Sequence, residues 1–262
     1  MPSVSNLAVG AAMAGAAASK ARHQMNESIA RLSTGIRAMY GGDSAGQSIA
    51  NMIGAKGKSF AVASRNLEDG ISYLQAAESV LLEMAALATR LRELGIQYDN
   101  VGLMTSFDQV ALNNEAAAIG DTMDQIQENM KFNGVFLVGK SHKFQIGVND
   151  AGSTLTIGVN QTIGVLDTIT GANGVDASAD TVIGHIAKAL GNVAAGMAGL
   201  KGAQAVASNS AANLNAAAAR IQDTDYAQET ASLTKAAILN QSAMAMVAQA
   251  NDAQQSILTV IQ

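Results

Sequence analysis

Histidines are the residues best suited to hold a metal or move a proton at neutral pH. This chain has three, His23, His142 and His185, scattered over different segments with no shared spacing. Asp223 and Asp225 could open a calcium loop, but the remaining ligands and the turn glycine of such a loop are missing. The same two residues suit a helix N-terminus, where a side-chain oxygen accepts otherwise unpaired backbone N–H groups. There is no cysteine, which excludes a disulfide framework and a thiolate metal site. No Ser/His/Asp set stands in motif context, and there is no phosphate loop and no His-Glu-x-x-His helix. The expectation is a protein without catalytic residues, cofactor or metal. The chemistry-bearing side chains that do cluster are Arg90, Arg92 and Glu93, beside the apolar line Leu87, Leu91 and Leu94. That is an amphipathic helix carrying a charged face, suited to solvent or to a partner.

The elements that would carry these residues are long helices. The 262 residues are 48% hydrophobic but only 3% aromatic, and alanine is close to one residue in five. The sole proline is Pro2, so nothing interrupts a helix by removing a backbone donor. The formal charge of −5 argues against nucleic acid, which is normally met by a basic stripe. Residues 1–19 lack both the basic start and the strongly apolar stretch of a cleaved secretory signal. They also lack the roughly 20 strongly apolar residues of a membrane span. No membrane insertion is expected.

An apolar line at spacings of three and four runs through Leu7, Ala11, Ala14, Ala18, Ala21, Met25, Ile29, Leu32 and Ile36. The cluster Gly41, Gly42, Asp43, Ser44 and Gly46 breaks it. A second line uses Leu67, Ile71, Leu74, Leu81, Met84, Leu87, Leu91 and Leu94, with an interruption expected from Gly95 to Gly102. A third helix is predicted over 106–130, using Phe107, Leu112, Ile119, Met123 and Ile126. The period changes at Asn133-Gly134. Residues 144–148 and 154–159, separated by Asn149-Asp150-Ala151-Gly152, read as a β-hairpin. Helix resumes from about Asp180 to Ile221, and a last helix runs from about Asp225. Its apolar line is Leu239, Ala243, Met246, Ala250, Ala253, Ile257 and Val260. The predicted fold is mostly α, with long coiled-coil-like terminal helices and a helical bundle bearing a small β-hairpin region.

The last helix is apolar on more than one face, which requires burial on more than one side. Ordering about 30 residues costs on the order of 30–60 kcal/mol of backbone entropy. At about 25 cal/mol per Å² this asks for on the order of 1,200–2,400 Å² of apolar burial. Alanine supplies that only when neighbours cover several faces. The terminal segments are therefore expected to be largely disordered in the monomer and to fold on assembly. The Asn, Gln and Ser positions of the last helix suit a polar face on a water-filled channel or hydrogen bonds between helices. The twelve methionines suit a core or surfaces that repack between subunits.

Two runs resemble the termini of bacterial flagellin. One is Ser28-Ile29-Ala30-Arg31-Leu32-Ser33-Thr34-Gly35-Ile36-Arg37, followed by Asp43-Ser44-Ala45-Gly46, Ile49-Ala50, Arg90-Leu91-Arg92-Glu93-Leu94 and Phe132-Asn133-Gly134. The other is Arg220 to Ala231, Leu233-Thr234-Lys235, Ile238-Leu239-Asn240-Gln241 and Ala248-Gln249-Ala250-Asn251. The resemblance spans about 1–140 and 178–262. It implies a subunit of the flagellar filament, exported unfolded by the flagellar type III apparatus without a cleaved signal and located outside the cell. Its implied parts are an inner-tube helix and linker at 1–42, an outer-tube region at 43–177, a returning outer-tube helix at 178–222 and an inner-tube helix at 223–262. The large outer domains of many relatives look absent. The glycine-rich linker carries one acid, Asp43, where the family commonly has two.

The resemblance further implies an inner assembly interface that includes Leu7, Met25, Ile29, Leu32, Leu239, Met246, Ile257 and Val260. It implies an outer surface at Arg90, Leu94 and Glu115, which matches positions gripped by the flagellin-sensing Toll-like receptor and meets neighbouring subunits in the filament. The implied partners are further copies of the chain, an export chaperone on the last helix, and the cap and hook-junction proteins. The rival readings are a hook–filament junction protein, which shares the terminal helices, a helical type III-secreted effector, and a cytoplasmic coiled-coil scaffold. The C-terminal run favours flagellin proper. Long Leu, Ile or Phe-dominated stretches suited to a membrane-inserting effector are missing, and a plain scaffold leaves the glycine-rich hairpin unexplained. Ser and Thr residues in 150–182 are candidates for O-glycosylation.

Overall fold

The computed structural model describes residues 2–37, 42–138, 144–147, 153–157 and 169–261, with side chains at 2–8, 144, 157, 257–258 and 260–261 left out. The described elements are α1 (Pro2–Thr34), α2 (Ser44–Tyr98), a short 3-10 turn (Val101–Leu103), α3 (Ser106–Asn129), β1 (Lys131–Phe132), β2 (Val135–Phe136), β3 (Phe144–Gly147), β4 (Thr154–Ile157), α4 (Val175–Gln222) and α5 (Tyr226–Ile261). The mostly helical class read from the sequence is the class observed. The chain divides into two compact units, Met1–Gly54 with Asn215–Gln262, and Ala55–Leu214.

In the first unit α1 and α5 run antiparallel, with Thr224 beside Gly35 and Glu229 beside Arg31. Their contact is built from alanine: Ala14, Ala18 and Ala21 are buried on α1, and Ala236 and Ala243 on α5. Small side chains let the two backbones approach closely. The buried face departs from the predicted line in two places. On α1 it continues from Met25 to Ser28, which is buried, and leaves Ile29 49% exposed. Ala21 to Met25 is already a step of four. A second four to Ile29 precesses off the face, whereas a three to Ser28 keeps the 3.5-residue period. On α5 the face runs through Glu229, Ala236 and Ala243 with Leu233, Asn240 and Val247 partly covered. Leu239 and Met246 stand off it, 47% and 65% exposed.

The second unit packs the remainder of α2 against α3 and α4. Leu67, Leu74, Leu81, Met84 and Leu91 from α2 meet Met123 from α3 and Val182, Ile186, Val193 and Leu200 from α4. The predicted α2 line is the core, with Leu87 only partly covered and Ala88 buried beside it. Gly95 does not end the helix. A Cβ there would stand 2.6 Å from the Asp176 backbone nitrogen, so the glycine admits the start of α4. Phe107 is a correction: it is 85% exposed, because α3 turns Ala116, Gly120 and Met123 inward.

Two hairpins follow. β1 and β2 pair antiparallel, Lys131 with Phe136 and Phe132 with Val135. The two-residue turn Asn133-Gly134 has positive φ at both positions, 49° and 81°, as a type I′ hairpin turn requires. The Tyr73 hydroxyl on α2 donates to the Phe136 carbonyl at 2.7 Å, and its ring meets Phe132 edge-on at 6.1 Å. β3 and β4 form the predicted second hairpin, with Phe144 opposite Ile157 and Gly147 opposite Thr154. Its predicted turn, Asn149-Asp150-Ala151-Gly152, lies outside the described residues, as does His142.

Candidate assembly and recognition surfaces

In the first unit, the end of α1 and the α4–α5 junction are fastened together. Gly35 N–H bonds back to Arg31 O at 2.8 Å and closes α1. Ile36 and Asp223 form an isolated antiparallel bridge, flanked by Arg37 N–H to Gln222 O and Thr224 N–H to Gly35 O, each 2.8 Å. Arg37 then donates from Nη2 and Nε to Ile221 O at 3.0 and 3.3 Å. It satisfies a carbonyl at the end of α4 and places a cation where the helix dipole favours one. Its Nη2 also reaches Asp43 at 3.2 Å, while Asp43 caps α2 by accepting from Gly46 N–H at 2.8 Å. Asp225 starts α5 by accepting from the N–H groups of Ala227 and Gln228 at 2.9 and 3.2 Å. Asp223 and Asp225 are thus helix-junction residues. Among the described residues no three His, Asp or Glu come together as metal ligands would.

One turn further along, Glu229 is buried on the seam and faces Arg31 at 3.5 Å, a charge pair without a well-formed hydrogen bond. Beyond it a groove of about 680 Å³ opens between α1 and α5, lined among others by Met13, Lys20, Gln24, Lys235, Leu239 and Met246. Of the sequence-predicted inner interface, Met25 and Leu32 are half-buried in the pair. Ile29, Leu239 and Met246 remain 49%, 47% and 65% exposed, the last two bordering the groove beside the Ala seam. The side chains of Leu7, Ile257 and Val260 lie outside those described. Val9, Met13, Ile238 and Met244 are also more than half exposed or close to it. Apolar surface therefore remains on the outside of this pair after its internal seam has formed.

In the second unit the charged face of α2 is tied to α3 and α4. Arg90 donates from Nη2 and Nε to Glu115 Oε1 at 2.7 and 2.9 Å, and from Nη1 to Glu93 at 3.1 Å. The Glu115 hydrogen bond comes first among the causes that hold the Arg90 guanidinium above its ordinary pKa. Arg92 Nε pairs with Asp180 at 2.6 Å. Arg90 and Glu115, predicted as parts of one surface, are in direct contact. Leu94 is a correction: it is fully buried against Ala116 and Ala172. Three residues beyond the buried Leu91, it falls on the inward stripe of α2 and supports the charged face from beneath. The sequence reading missed the Arg31–Glu229 and Arg37–Asp43 contacts. Their residues stand nearly 200 positions apart or across a glycine-rich break, where no helical period links them. It also missed the exposed group Leu103 and Phe107, each 85% exposed.

Paired Ala-rich helices and a three-helix core define a mostly helical protein built on long helices. Comparison with known proteins gives the particular family. Residues 4–143 match the bacterial flagellin N-terminal helical region and residues 177–261 the bacterial flagellin C-terminal helical region. The flagellin of Halalkalibacterium halodurans is 31% identical over 91% of this chain and 92% of its own length. That of Bacillus subtilis is 32% identical over 88% and 90%. A flagellar filament 30.7 kDa core protein of Treponema maltophilum is 29% identical over 91% and 92%. A crystal structure of Bacillus cereus flagellin, 22% identical, aligns over 57% of this chain and 88% of its own with a TM-score of 0.41. This chain belongs to the bacterial flagellin family, in a short form without large outer domains.

Proposed function

We propose that this chain polymerises head to tail into the tubular flagellar filament that turns motor torque into swimming. The observation that carries the reading is the unspent apolar surface of the α1/α5 pair. Ile29, Leu239 and Met246 remain exposed after the Ala seam has formed, which leaves apolar area for neighbouring subunits to bury. The contacts are heterologous and open, which yields filaments and not closed rings. In this reading segments 1–42 and 223–262 form the inner tube, and 43–177 with 178–222 the outer one. The chain leaves the cell unfolded through the flagellar type III system, escorted by a chaperone on α5, and is bounded in the filament by cap and hook-junction proteins. The Arg90–Glu115 face, with Leu94 beneath it, is the surface offered to the Toll-like receptor by the monomer and covered in the filament.

Electron microscopy of purified protein seeded with filament fragments tests the assembly, beside a variant lacking residues 236–262. Long tubes from the full chain and none from the truncation are expected. Monomers or short rings from the full chain would favour the junction-protein or effector alternative. For the receptor, monomer should activate a reporter cell line and Arg90→Asp should lose activity. A silent response to both would withdraw that assignment.

A further inference from the structure

The groove between α1 and α5 carries two unmatched cations. Lys20 and Lys235 line it together with Met13, Leu239 and Met246, and among the described residues neither has a carboxylate within 4.0 Å. Lys235 also borders a smaller polar hollow with Glu27 and Glu229, but Arg31 faces both of those carboxylates. An apolar groove with two free ammonium groups fits a partner that is small-sided, uncharged over most of its length and acidic at one point.

The chain itself exposes such a surface. Asp252 is the sole acid after Glu229. It is exposed, and Ala245, Ala248, Gln249, Gln255 and Ser256, which share its side of α5, are exposed as well. Positions three and four apart lie on one helical face, so this is a neutral face of small and amide side chains around one carboxylate. Of the other acids of this unit, Glu27 and Glu229 face Arg31, Asp43 is held by Arg37 and by Gly46 N–H, Asp225 accepts from two amide groups, and Asp223 sits in the backbone bridge to Ile36 at the α4–α5 junction and not on an open helix face. We infer that the groove receives the Asp252 face of α5 from a second copy of this chain, with Asp252 placed between Lys20 and Lys235. The same copy cannot supply it. Lys235 and Asp252 are seventeen residues apart on one helix, about 25 Å at 1.5 Å per residue. The contact is therefore heterologous, and its repetition displaces successive copies by about 25 Å along the helix axis, an open arrangement.

This inference rests on the filament reading, and the test separates the two. Full-length protein is polymerised as the unaltered chain, as Asp252→Lys, as Lys20→Asp with Lys235→Asp, and as the chain carrying all three exchanges. The altered residues are exposed, and circular dichroism of each monomer checks its helix content. Each partial exchange places like charges together and should raise the critical concentration about tenfold or more. The threefold exchange should recover most of that loss. A zero-length carbodiimide reagent should join Lys20 or Lys235 to Asp252 between chains in the unaltered filament. Normal polymerisation of Asp252→Lys, no recovery in the threefold exchange, or lysine cross-links only to other carboxylates would overturn the contact. Failure of the unaltered chain to polymerise would overturn the filament reading, and this contact with it.

Discussion

Glycines in the second unit give a graded test of its packing, because each lies within a helix while the space beside it differs. Replacing an exposed helical glycine by alanine gains about 1 kcal/mol of helix propensity. At Gly191 in α4 a Cβ meets nothing within 4 Å, so Gly191→Ala should stabilise the monomer by about that amount. At Gly120 in α3 the new atom stands 3.1 Å from Ile169 Cβ. A side chain can give by a few tenths of an ångström, and the gain and the crowding should nearly cancel. At Gly95 it stands 2.6 Å from the Asp176 nitrogen, with the Asp176 Cα at 3.0 Å. Here backbone must move, and overpacking typically costs about 1–3 kcal/mol. Set against the same gain, Gly95→Ala should be destabilising by about 0–2 kcal/mol. Thermal unfolding of the monomer reads all three, at about 2–4 °C per kcal/mol for a domain of this size. The expected order is Gly191→Ala above Gly120→Ala above Gly95→Ala. A Gly95→Ala protein as stable as Gly191→Ala would refute the close crossing of α2 and α4 at that point, and with it the support placed under the Arg90 face.

Three other outcomes follow from named contacts. Burial raises the Tyr73 pKa, so its neutral form is favoured on folding. That stability is fully present below the ordinary tyrosine range and is lost as pH rises through the raised value. Alkaline unfolding should be shallower in Tyr73→Phe, which should also cost about 1 kcal/mol at neutral pH for the lost bond to Phe136. Asp108 is held below its ordinary pKa by hydrogen bonds from Thr105, with which it forms a capping box. Its contribution is present above the usual carboxylate range and is lost as pH falls through the depressed value. The protection of amides at the start of α3, measured against the intrinsic exchange rate at each pH, should fall in acid, and Asp108→Asn should already show the lower protection at neutral pH. Finally, amide exchange in residues 5–30 and 235–258 should be weakly protected in the monomer and strongly protected in the filament. Strong protection in the monomer would show that the Ala seam suffices by itself.

Helix positions were legible where one rule acted locally. The α2 line from Leu67 to Leu94 is the core because a helix covered on one side keeps its apolar residues on one stripe. The hairpin of β3 and β4 was legible from a change of period. Where side chains are small the period carried less information. On α1 and α5 many positions are Ala, Ser or Met, so several lines of spacing compete, and larger residues such as Ile29 and Leu239 drew the predicted face outward. The structure decides by closeness of approach: Ala18, Ser28 and Ala236 fit between two backbones, and Ile29 does not. Leu94 was misplaced for a different reason. Its role was carried over from resemblance to a recognised surface, whereas its spacing from Leu91 already set it on the buried stripe. The Arg31–Glu229 and Arg90–Glu115 pairs join separate elements, and no pattern within one segment announces such a partner.

The division of labour within α5 follows from these sizes. A seam of alanine contributes little area per residue, at about 25 cal/mol per Å², but it brings two helices close enough that their larger side chains must splay to the sides. Met13 and Met246 accordingly border the groove, and Leu239 shares it. Methionine is flexible enough to fill irregular gaps against more than one neighbour. In the proposed filament these outer side chains would be covered only as copies are added, which would couple folding of the termini to polymerisation. Replacing Met246 by Ala leaves the internal seam untouched and removes area only from the outer face. It should raise the critical concentration for assembly while leaving the thermal unfolding of the monomer's second unit unchanged. Replacing Leu81 by Ala should do the reverse first: the fully buried side chain leaves a cavity costing about 2–5 kcal/mol, read in the monomer before any filament forms.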